Sequence, residues 1–338
     1  MAKKSGSFIF IIIAILAGMF FLAWILLSSG EPRYQGKTLS YWMGTSSHGG
    51  SQKQRGEAQA ALRAMGGSAV PFLVHIVEKE DAPIKIKLLR DYGRRFPILN
   101  QWLRLTTDDE RVDAERALGE IGAPASNALP TLLAVIAKNP VSHSEMRWAA
   151  KAAVMKIKGE PIDGLLADLD KDFANEFMQQ WLDAAMTLAE FGTNAASAIP
   201  ALCRVLVKRH PLIAVNAIGL IHGDPEIAVP TLLKLLKDDK EGTNSSFVLS
   251  GLIWALGQYE GDARQAIPLL REELMENDPF IRQNTMLSLS KILPAQELPS
   301  MESALLAALK DTNSSVRMSA GILFKQIDPA AAKKAGVE

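Results

Sequence analysis

The chain has 338 residues, of which 48% are hydrophobic but only 7% are aromatic. A hydrophobic fraction of this kind, rich in Ala, Leu and Ile, is typical of closely packed helices and favours an all-α fold. The 37 basic residues balance the 37 acidic residues, which argues against nucleic-acid binding through an overall positive charge. Cys203 is the only cysteine, so an intramolecular disulfide is excluded and stability must come from packing.

The first predicted element is a membrane-spanning helix at residues 8–27. These residues carry no charge, and at about 1.5 Å per residue a helix of this length spans about 30 Å of hydrocarbon. Lys3 and Lys4 lie in residues 1–7 and favour a cytoplasmic N-terminus, with the rest of the chain on the extracytoplasmic (periplasmic) side of the cell membrane. A cleaved signal peptide is the alternative, but its apolar region is usually only about 7–15 residues long. We therefore predict an uncleaved, single-pass signal anchor.

Residues 28–54 are predicted to tether the anchor to the remainder of the chain. Thr38 is placed to cap a short helix in which Leu39 and Trp42 share one face, so we expect this helix to dock on the first repeat. Residues 44–56 are rich in Gly, Ser and Gln, and this composition predicts a flexible segment. A glycan or peptide site is the alternative for the aromatic residues of the tether, although aromatic residues more often serve as buried anchors.

Residues 55–330 repeat a helix–turn–helix pattern with a period of about 30–40 residues, which is typical of an α-solenoid. An apolar column recurs once in each repeat, and a second apolar residue follows three positions later, so each first helix should bury one face. The first column consists of Leu62, Leu118, Val154, Leu188, Ile218, Leu256, Leu289 and Phe324. The positions four and one residues before this column are mostly small, as in Ala58 and Ala61, which lets neighbouring first helices approach closely. Residues 331–338 remain as a C-terminal tail.

Glycine and proline mark the turn inside each repeat. Several first helices are followed by a glycine where we expect the chain to stop in the left-handed conformation; these are Gly66, Gly122 and Gly192. Several second helices are expected to open with a proline, since proline in the first helical turn sacrifices no hydrogen bond; these are Pro130, Pro200, Pro230 and Pro268.

The repeats resemble HEAT repeats, whose first helix starts with an Asp followed by Val-Arg and ends in Ala-Leu-x-x-Ile-Gly. The start is matched at residues 278–282 and 311–317, and the end at residues 117–122. The resemblance implies an α-α superhelix, a HEAT-type α-solenoid of about eight hairpins. An arginine column contains Arg55, Arg111, Arg147, Arg282 and Arg317, but Trp181, Pro211 and Leu249 interrupt it. With its anchor and its Tyr-x-Gly-Lys-x-Leu tether, the chain is also similar to membrane-anchored bacterial HEAT-repeat proteins.

An additional segment lies between the first two repeats, at residues 81–107. Its sequence imitates a degenerate hairpin and breaks the small-residue columns. It also concentrates positive charge, in Lys85, Lys87, Arg90, Arg94 and Arg95. These residues are either a solvated surface or a candidate partner-binding site, for an acidic protein segment or for anionic lipid headgroups near the anchored end.

The sequence contains no recognisable arrangement for catalysis, metal binding or cofactor binding. The histidines show no His-x-x-x-His spacing and no second cysteine accompanies Cys203, while a Walker A loop and a Gly-x-Ser-x-Gly elbow are absent. We therefore predict that the chain is not an enzyme and has no cofactor, and that it is a membrane-anchored scaffold that binds a protein or peptide. The alternatives are an enzyme of the bilin-lyase type, which a subset of HEAT-like proteins resembles, and a solenoid that binds nucleic acid.

Overall fold

The computed structural model describes residues 31–48, 51–79, 87, 107–139, 144–171, 178–209, 212–238 and 246–337. The predicted membrane anchor at residues 8–27 lies outside the described residues. The basic segment at residues 81–107 also lies outside them, except for Lys87 and Thr107. The chain divides into two compact units. Unit 1 contains Met1–Pro140 and Glu145–Glu160, and unit 2 contains Val141–Ser144 and Pro161–Glu338.

The described part of the chain is almost entirely helical, so the all-α prediction is confirmed, and the architecture is consistent with an α-solenoid. The strands that the structure describes form one small antiparallel hairpin near the start of unit 1. Strand β1 is Arg33–Tyr34 and strand β2 is Lys37–Thr38, with Arg33 opposite Thr38. Gln35 and Gly36 connect them with φ angles of 50° and 76°, the pair of positive angles that a two-residue hairpin turn requires.

Unit 1 contains a short helix that packs on a series of helical hairpins. The helices are α1 (Leu39–His48), α2 (Gln52–Met65), α3 (Val70–Glu78), α4 (Asp108–Ile121), α5 (Leu129–Lys138) and α6 (Glu145–Lys158). The first helices of the hairpins, α2, α4 and α6, lie side by side, and α3 and α5 form a second layer. Helix α1 packs against α2 and α4 and buries Leu39 and Trp42 completely or nearly so, as expected for a docking helix.

Unit 2 continues the alternation of first and second helices. Its helices are α7 (Asp163–Asp170), α8 (Met178–Ala189), α9 (Ile199–Arg209), α10 (Leu212–Ile221), α11 (Pro225–Asp238), α12 (Ser246–Gln258), α13 (Ile267–Glu273), α14 (Pro279–Ile292), α15 (Glu302–Ala308), α16 (Ser314–Ile327) and α17 (Pro329–Lys334). The first helices α8, α10, α12, α14 and α16 pack against one another in chain order. Short 3-10 segments, such as Gly192–Ala198 and Glu260–Ala266, join first helices to second helices.

The repeat columns form the cores of both units. Every residue of the first apolar column is buried, with an exposed fraction of at most 6%. The small residues before it are buried as well, and they allow close contact between neighbouring first helices. At Gly257 of α12 a Cβ atom would lie 2.5 Å from the Oγ of Ser288 on α14, so only glycine fits this approach. The prediction of one buried face per first helix is confirmed.

Two first helices of unit 1 begin with a capping box. In this arrangement the side chain of the capping residue accepts a hydrogen bond from the amide three residues later, and the side chain of that later residue accepts one from the amide of the capping residue. At α2 the amide of Gln54 donates to Ser51 Oγ at 3.3 Å, and the amide of Ser51 donates to Gln54 Oε1 at 2.9 Å. Thr107 and Glu110 form the same arrangement at α4. The flexible segment predicted at residues 44–56 is therefore wrong where the structure describes it, because α1 extends to His48 and the Ser51 cap starts α2 directly afterwards.

Two expectations about the turns need correction. Gly66 and Gly122 have positive φ angles of 55° and 73°, but their ψ angles of −142° and −141° lie outside the left-handed helical region and in a region that is nearly exclusive to glycine. Pro230 does not open a second helix but lies inside α11, which begins at Pro225. The amides of Ile227 and Ala228 both donate to the carbonyl of Asp224 at 3.0 Å, so helical bonding is already established before Pro230 is reached.

Arginines of the column bond main-chain carbonyls in or after the second helix that precedes them. Arg147 Nη1 donates to the carbonyl of Ile136 at 3.1 Å, close to the end of α5. Arg282 Nη1 donates to the carbonyls of residues 276 and 277 at 2.7 and 2.8 Å, and Arg317 Nη1 donates to those of residues 311 and 312 at 2.7 and 2.9 Å. Arg147 therefore satisfies a carbonyl in the last turn of α5, whereas Arg282 and Arg317 satisfy carbonyls of the loops that lead into α14 and α16.

Within the described ranges, no single helix is both long enough and apolar enough to cross a membrane. The pair Gln52–Ser68 and Val70–Glu78 meets the length and composition criteria only when both parts are taken together, and it is bent by 95°.

Candidate functional site

The predicted basic site is represented in the structure by one residue. Lys87 is helical and its side chain is exposed to solvent. Lys85, Arg90, Arg94 and Arg95 lie outside the described residues. The five residues therefore remain a predicted site.

The borders of the basic segment are fixed to each other. Lys79 follows the end of α3 and Thr107 caps the start of α4. Arg111 on α4 joins the two borders, because its Nη2 donates to the carbonyl of Lys79 at 2.8 Å while its Nη1 pairs with Asp108 Oδ1 at 2.8 Å. The positions at which the segment leaves and rejoins the described hairpins are thus set by an arginine of the repeat column.

A cavity of about 340 Å³ lies beside these borders, between the end of α3 and the first turns of α4 and α6, with α5 along one side. Its charged lining consists of Lys79, Arg111 and Lys138, with Glu78 as the one carboxylate among the lining residues. Glu78 Oε1 accepts a hydrogen bond of 2.6 Å from Thr131 Oγ1, so this carboxylate is already engaged on the cavity wall. The remaining lining is mainly apolar, from Val77, Ala134, Val135 and Met146. Cations therefore outnumber carboxylates among the residues around this apolar floor, although Arg111 is already bonded to Asp108 and to the carbonyl of Lys79.

A second cavity, of about 380 Å³, lies in unit 2 near the ends of α13 and α15. Two of its three charged lining residues are committed to each other: Arg282 Nε and Nη2 each donate to an Asp311 oxygen at 2.8 Å, and both side chains are largely buried. The hydrogen bond from Arg282 is the main cause that lowers the pKa of Asp311 below its usual value. Asp311 therefore stays ionised as one half of a structural ion pair, which makes it unsuitable as a general acid or base.

Potential metal ligands and the thiol of Cys203 are further reactive groups in the described part of the chain. No group of three or more His, Cys, Asp or Glu side chains within the described ranges could hold a metal ion. Cys203 is 6% exposed, and burial raises the pKa of its thiol to about 11, so it is not a thiolate near neutral pH.

The aromatic residues of the tether also have a structural role. Trp42 is buried, and its Nε1 donates to the carbonyl of Tyr34 at 3.1 Å. The ammonium group of Lys37 lies 4.2 Å from the ring centroid of Tyr41 and 4.9 Å from that of Trp42, so it contacts both aromatic rings. This arrangement favours the buried-anchor interpretation over a glycan or peptide site.

Sequence reasoning missed an exposed apolar surface in unit 2. Phe247, Phe280 and Met318 are 74%, 62% and 63% exposed, and they lie on the first helices α12, α14 and α16. A signal for this surface is present in the sequence, because none of these three helices contains an Asp or a Glu. The column alignment did not reveal it because it traced only the buried faces of the same helices.

Comparison with known proteins gives limited information. No family model and no curated protein matches the chain. The chain is similar to the solved structure of human deoxyhypusine hydroxylase in complex with glycerol, with 19% sequence identity and a TM-score of 0.28. The match covers 86% of this chain and 95% of that chain. At this identity and TM-score, the likeness transfers no activity, substrate or cofactor to the present chain.

The comparison does correct one prediction. From the sequence we predicted that the chain is not an enzyme, and the similarity to the structure of a hydroxylase contradicts that prediction without assigning an activity to this chain.

Proposed function

We propose that this chain is a membrane-anchored scaffold of a bacterial cell. Residues 8–27 anchor it in the cell membrane with the N-terminus in the cytoplasm, and the repeats of residues 55–330 bind a protein partner on the extracytoplasmic side. The anchor is supported by the length and apolar character of residues 8–27 and by Lys3 and Lys4 before them. The binding role is supported by the layered hairpins of each unit, since stacked helical repeats present extended surfaces to partners.

The observation that carries the binding proposal is the positively charged cavity at the borders of the basic segment. Lys79, Arg111 and Lys138 line that cavity, and the segment between Lys79 and Thr107 adds the five predicted basic residues. The partner that complements these groups is an acidic segment of a protein. Its carboxylates would pair with Lys79 and with the basic residues of the segment, and aliphatic side chains between them would contact the cavity floor at Val77, Val135 and Met146.

Affinity in such a site depends on several charges acting together. An exposed ion pair contributes only about 0–1 kcal/mol, so a single Lys or Arg gives little selectivity. Salt screens charges beyond about 10 Å at 0.1 M ionic strength, which makes a multi-charge contact strongly salt-dependent. Binding should therefore weaken steeply as salt rises, whereas a purely apolar contact would not weaken.

The experiment measures binding of a fluorescent acidic peptide, made of alternating Glu and Leu, to the full-length protein by anisotropy. We expect binding at low salt, and we expect it to be lost when Lys85, Lys87, Arg90, Arg94 and Arg95 are changed to Gln. The matched control changes five exposed cations of unit 2 to Gln, namely Lys234, Lys237, Arg264, Lys333 and Lys334. Equal affinities for the wild type and both variants, or binding of a Gln-for-Glu peptide as tight as that of the acidic peptide, would contradict the proposal.

A further inference from the structure

The cavity of unit 2 occupies the same place in its repeats as the cavity of unit 1. Each cavity is bounded by the end of one second helix, by a column arginine on the following first helix, and by the next second helix. In unit 1 these parts are α3, Arg111 on α4, and α5. In unit 2 they are α13, Arg282 on α14, and α15. The repeat therefore builds one kind of cavity in both units.

The two cavities carry opposite charges at equivalent lining positions. Lys79 and Glu276 each lie eight residues after the proline in the first turn of the preceding second helix, α3 or α13. Lys138 and Asp311 each lie nine residues after the first residue of the next second helix, α5 or α15. Both lysines that line the cavity of unit 1 thus correspond to carboxylates in the lining of the cavity of unit 2.

One charge in the lining of the unit 2 cavity remains available to a ligand. Arg282 is held by both oxygens of Asp311 at 2.8 Å, so these two residues neutralise each other. Glu276 is exposed, and within the described part of the chain its carboxylate makes no hydrogen bond or ion pair. With two carboxylates and one guanidinium group, the lining has a net charge of −1.

Charges of both signs surround the cavity outside its lining. Arg317 is already engaged, because its Nη1 donates to the carbonyls of residues 311 and 312. Lys310 is exposed but is not a lining residue. On the opposite side, Glu273 ends α13 and Asp278 caps α14. The surroundings therefore do not reverse the sign set by Glu276, and a ligand cation fits the lining better than a ligand carboxylate.

The rest of the cavity is suited to an apolar side chain. Met286 and Val316 lie at the floor and are each only 1% exposed. Ala307 on α15 leaves space along one wall, and Met275 is 78% exposed at the rim. Methionine side chains adapt their shape to what they contact. The volume of about 380 Å³ lies at the lower end of the range of about 300–1,000 Å³ that is usual for ligand pockets.

We propose that the cavity of unit 2 binds a protein segment in which a Leu or Met side chain fills the cavity and an adjacent Lys or Arg pairs with Glu276. A protein segment fits because stacked helical repeats present successive sites to extended chains. This site is additional to the acidic-segment site proposed in unit 1 and opposite to it in charge. The two sites share no residue, so either can fail without the other.

The two parts of the segment contribute differently. An exposed ion pair contributes only about 0–1 kcal/mol, so the apolar side chain provides most of the affinity. Glu276 provides selectivity, because it attracts a neighbouring cation and repels a neighbouring carboxylate. Replacing Glu276 by Lys removes the attraction and adds a repulsion, which should have a larger effect than neutralisation alone.

The experiment measures the anisotropy of fluorescent Gly-Ser peptides that carry a single Lys-Leu-Lys, Glu-Leu-Glu or Lys-Ser-Lys triplet, with the full-length protein in a neutral detergent. Glu276→Lys tests the charge, and Glu226→Lys, at an exposed position of α11, is the matched control. Met275→Ser tests the apolar rim, and Met318→Ser is its control because Met318 is 63% exposed and does not line the cavity. Equal unfolding midpoints show that the variants are folded.

We expect the Lys-Leu-Lys peptide to bind more tightly than both other peptides. Glu276→Lys should weaken its binding about tenfold, equivalent to about 1.4 kcal/mol, and Met275→Ser should weaken it as well, whereas both controls should match the wild type. Changing the five basic residues of unit 1 to Gln should leave this binding intact, which separates it from the acidic-segment site. No binding of the Lys-Leu-Lys peptide, equally tight binding of Lys-Ser-Lys, or unchanged binding in Glu276→Lys would overturn the proposal.

Discussion

Glu120 shows how charge is used inside the packed repeats of unit 1. Its carboxylate lies between the first helices, 2.8 Å from Arg63 Nη2 on α2 and 2.9 Å from Lys156 Nζ on α6. The side chain of Glu120 is only 11% exposed. Burial alone raises the pKa of Glu120, but the neighbouring ammonium and guanidinium groups outweigh it, and the pKa is lowered. The three side chains therefore connect three consecutive first helices.

Glu120→Gln should lower the free energy of unfolding at neutral pH by about 1.5–3 kcal/mol, because hydrogen bonds to a charged group are lost. Since the pKa of Glu120 is lower in the folded state, its stabilisation is complete above the unfolded value of about 4.3 and is lost as the pH falls through the folded value. Denaturant unfolding at several pH values checks this: the difference between wild type and variant should shrink on acidification. Glu57→Gln, at an exposed position of α2, is the control and should show a small difference at all pH values. A constant difference for Glu120→Gln would contradict the assignment.

For single residues, the sequence predicted burial and backbone conformation correctly where the same kind of residue recurs at equivalent positions of the repeats. The burial of Leu118 followed from its register with seven other apolar residues, and the positive φ of Gly66 followed from its place after a helix. The complete burial of Glu115 on α4 could not be predicted, because a carboxylate in a first helix is usually assigned to solvent. The unusual ψ of Gly66 depends on how the 3-10 segment continues, and no sequence pattern specifies that.

At the scale of elements, close approach between first helices depends on small side chains. Gly257→Ala places a Cβ 2.5 Å from Ser288 Oγ and 3.0 Å from the Cα of Ser288, so α12 and α14 must separate. We expect a loss of about 1–3 kcal/mol in the free energy of unfolding, the usual cost of overpacking. Gly261→Ala is the matched control, because no atom lies within 4 Å of the added Cβ. Similar unfolding midpoints for the two variants would mean that α12 and α14 are not packed as described.

The start of α11 illustrates why helix boundaries were harder to predict than helix faces. Pro230 has the same sequence context as Pro130 and Pro268, each of which lies in the first turn of its helix. In the fifth hairpin the helix starts at Pro225, and the residues that form a 3-10 segment in other hairpins are α-helical. The sequence is compatible with a helix that starts near Pro230 and with one that starts at Pro225, since a proline is favourable as the first residue of a helix in either case.

At the scale of the whole molecule, repeats couple mainly to their neighbours, so damage should remain local. Leu118→Ala removes a fully buried side chain of unit 1 and should cost about 2–5 kcal/mol. Native-state hydrogen exchange should become faster in α2, α4 and α6 while α14 and α16 in unit 2 keep their protection. Lys310→Ala, at an exposed position, should change stability by no more than about 0.5 kcal/mol. Uniformly faster exchange along the chain would mean that the hairpins unfold as one cooperative body.

The candidate sites were predictable to different degrees. The basic segment was visible as a cluster of charge, but the adjoining cavity was not, because Lys79, Arg111 and Lys138 come from three different helical regions and meet only in the fold. The exposed apolar surface of unit 2, at Phe247, Phe280 and Met318, was missed for a related reason. Periodicity identifies Leu289 and Phe280 equally as apolar residues of α14, and only the packed structure shows that the first is buried and the second exposed.

The central claim, a membrane-anchored repeat region outside the cytoplasm, is tested most directly by protease treatment of spheroplasts that contain the full-length protein with a C-terminal tag. The account predicts that the tag is lost from intact spheroplasts, and that untreated protein stays in the membrane fraction after a carbonate wash. Protection of the tag until the membrane is permeabilised would contradict the claim by placing the repeats in the cytoplasm. A soluble fragment that begins near Glu31 in untreated cells would contradict it by showing that residues 8–27 are a cleaved signal peptide.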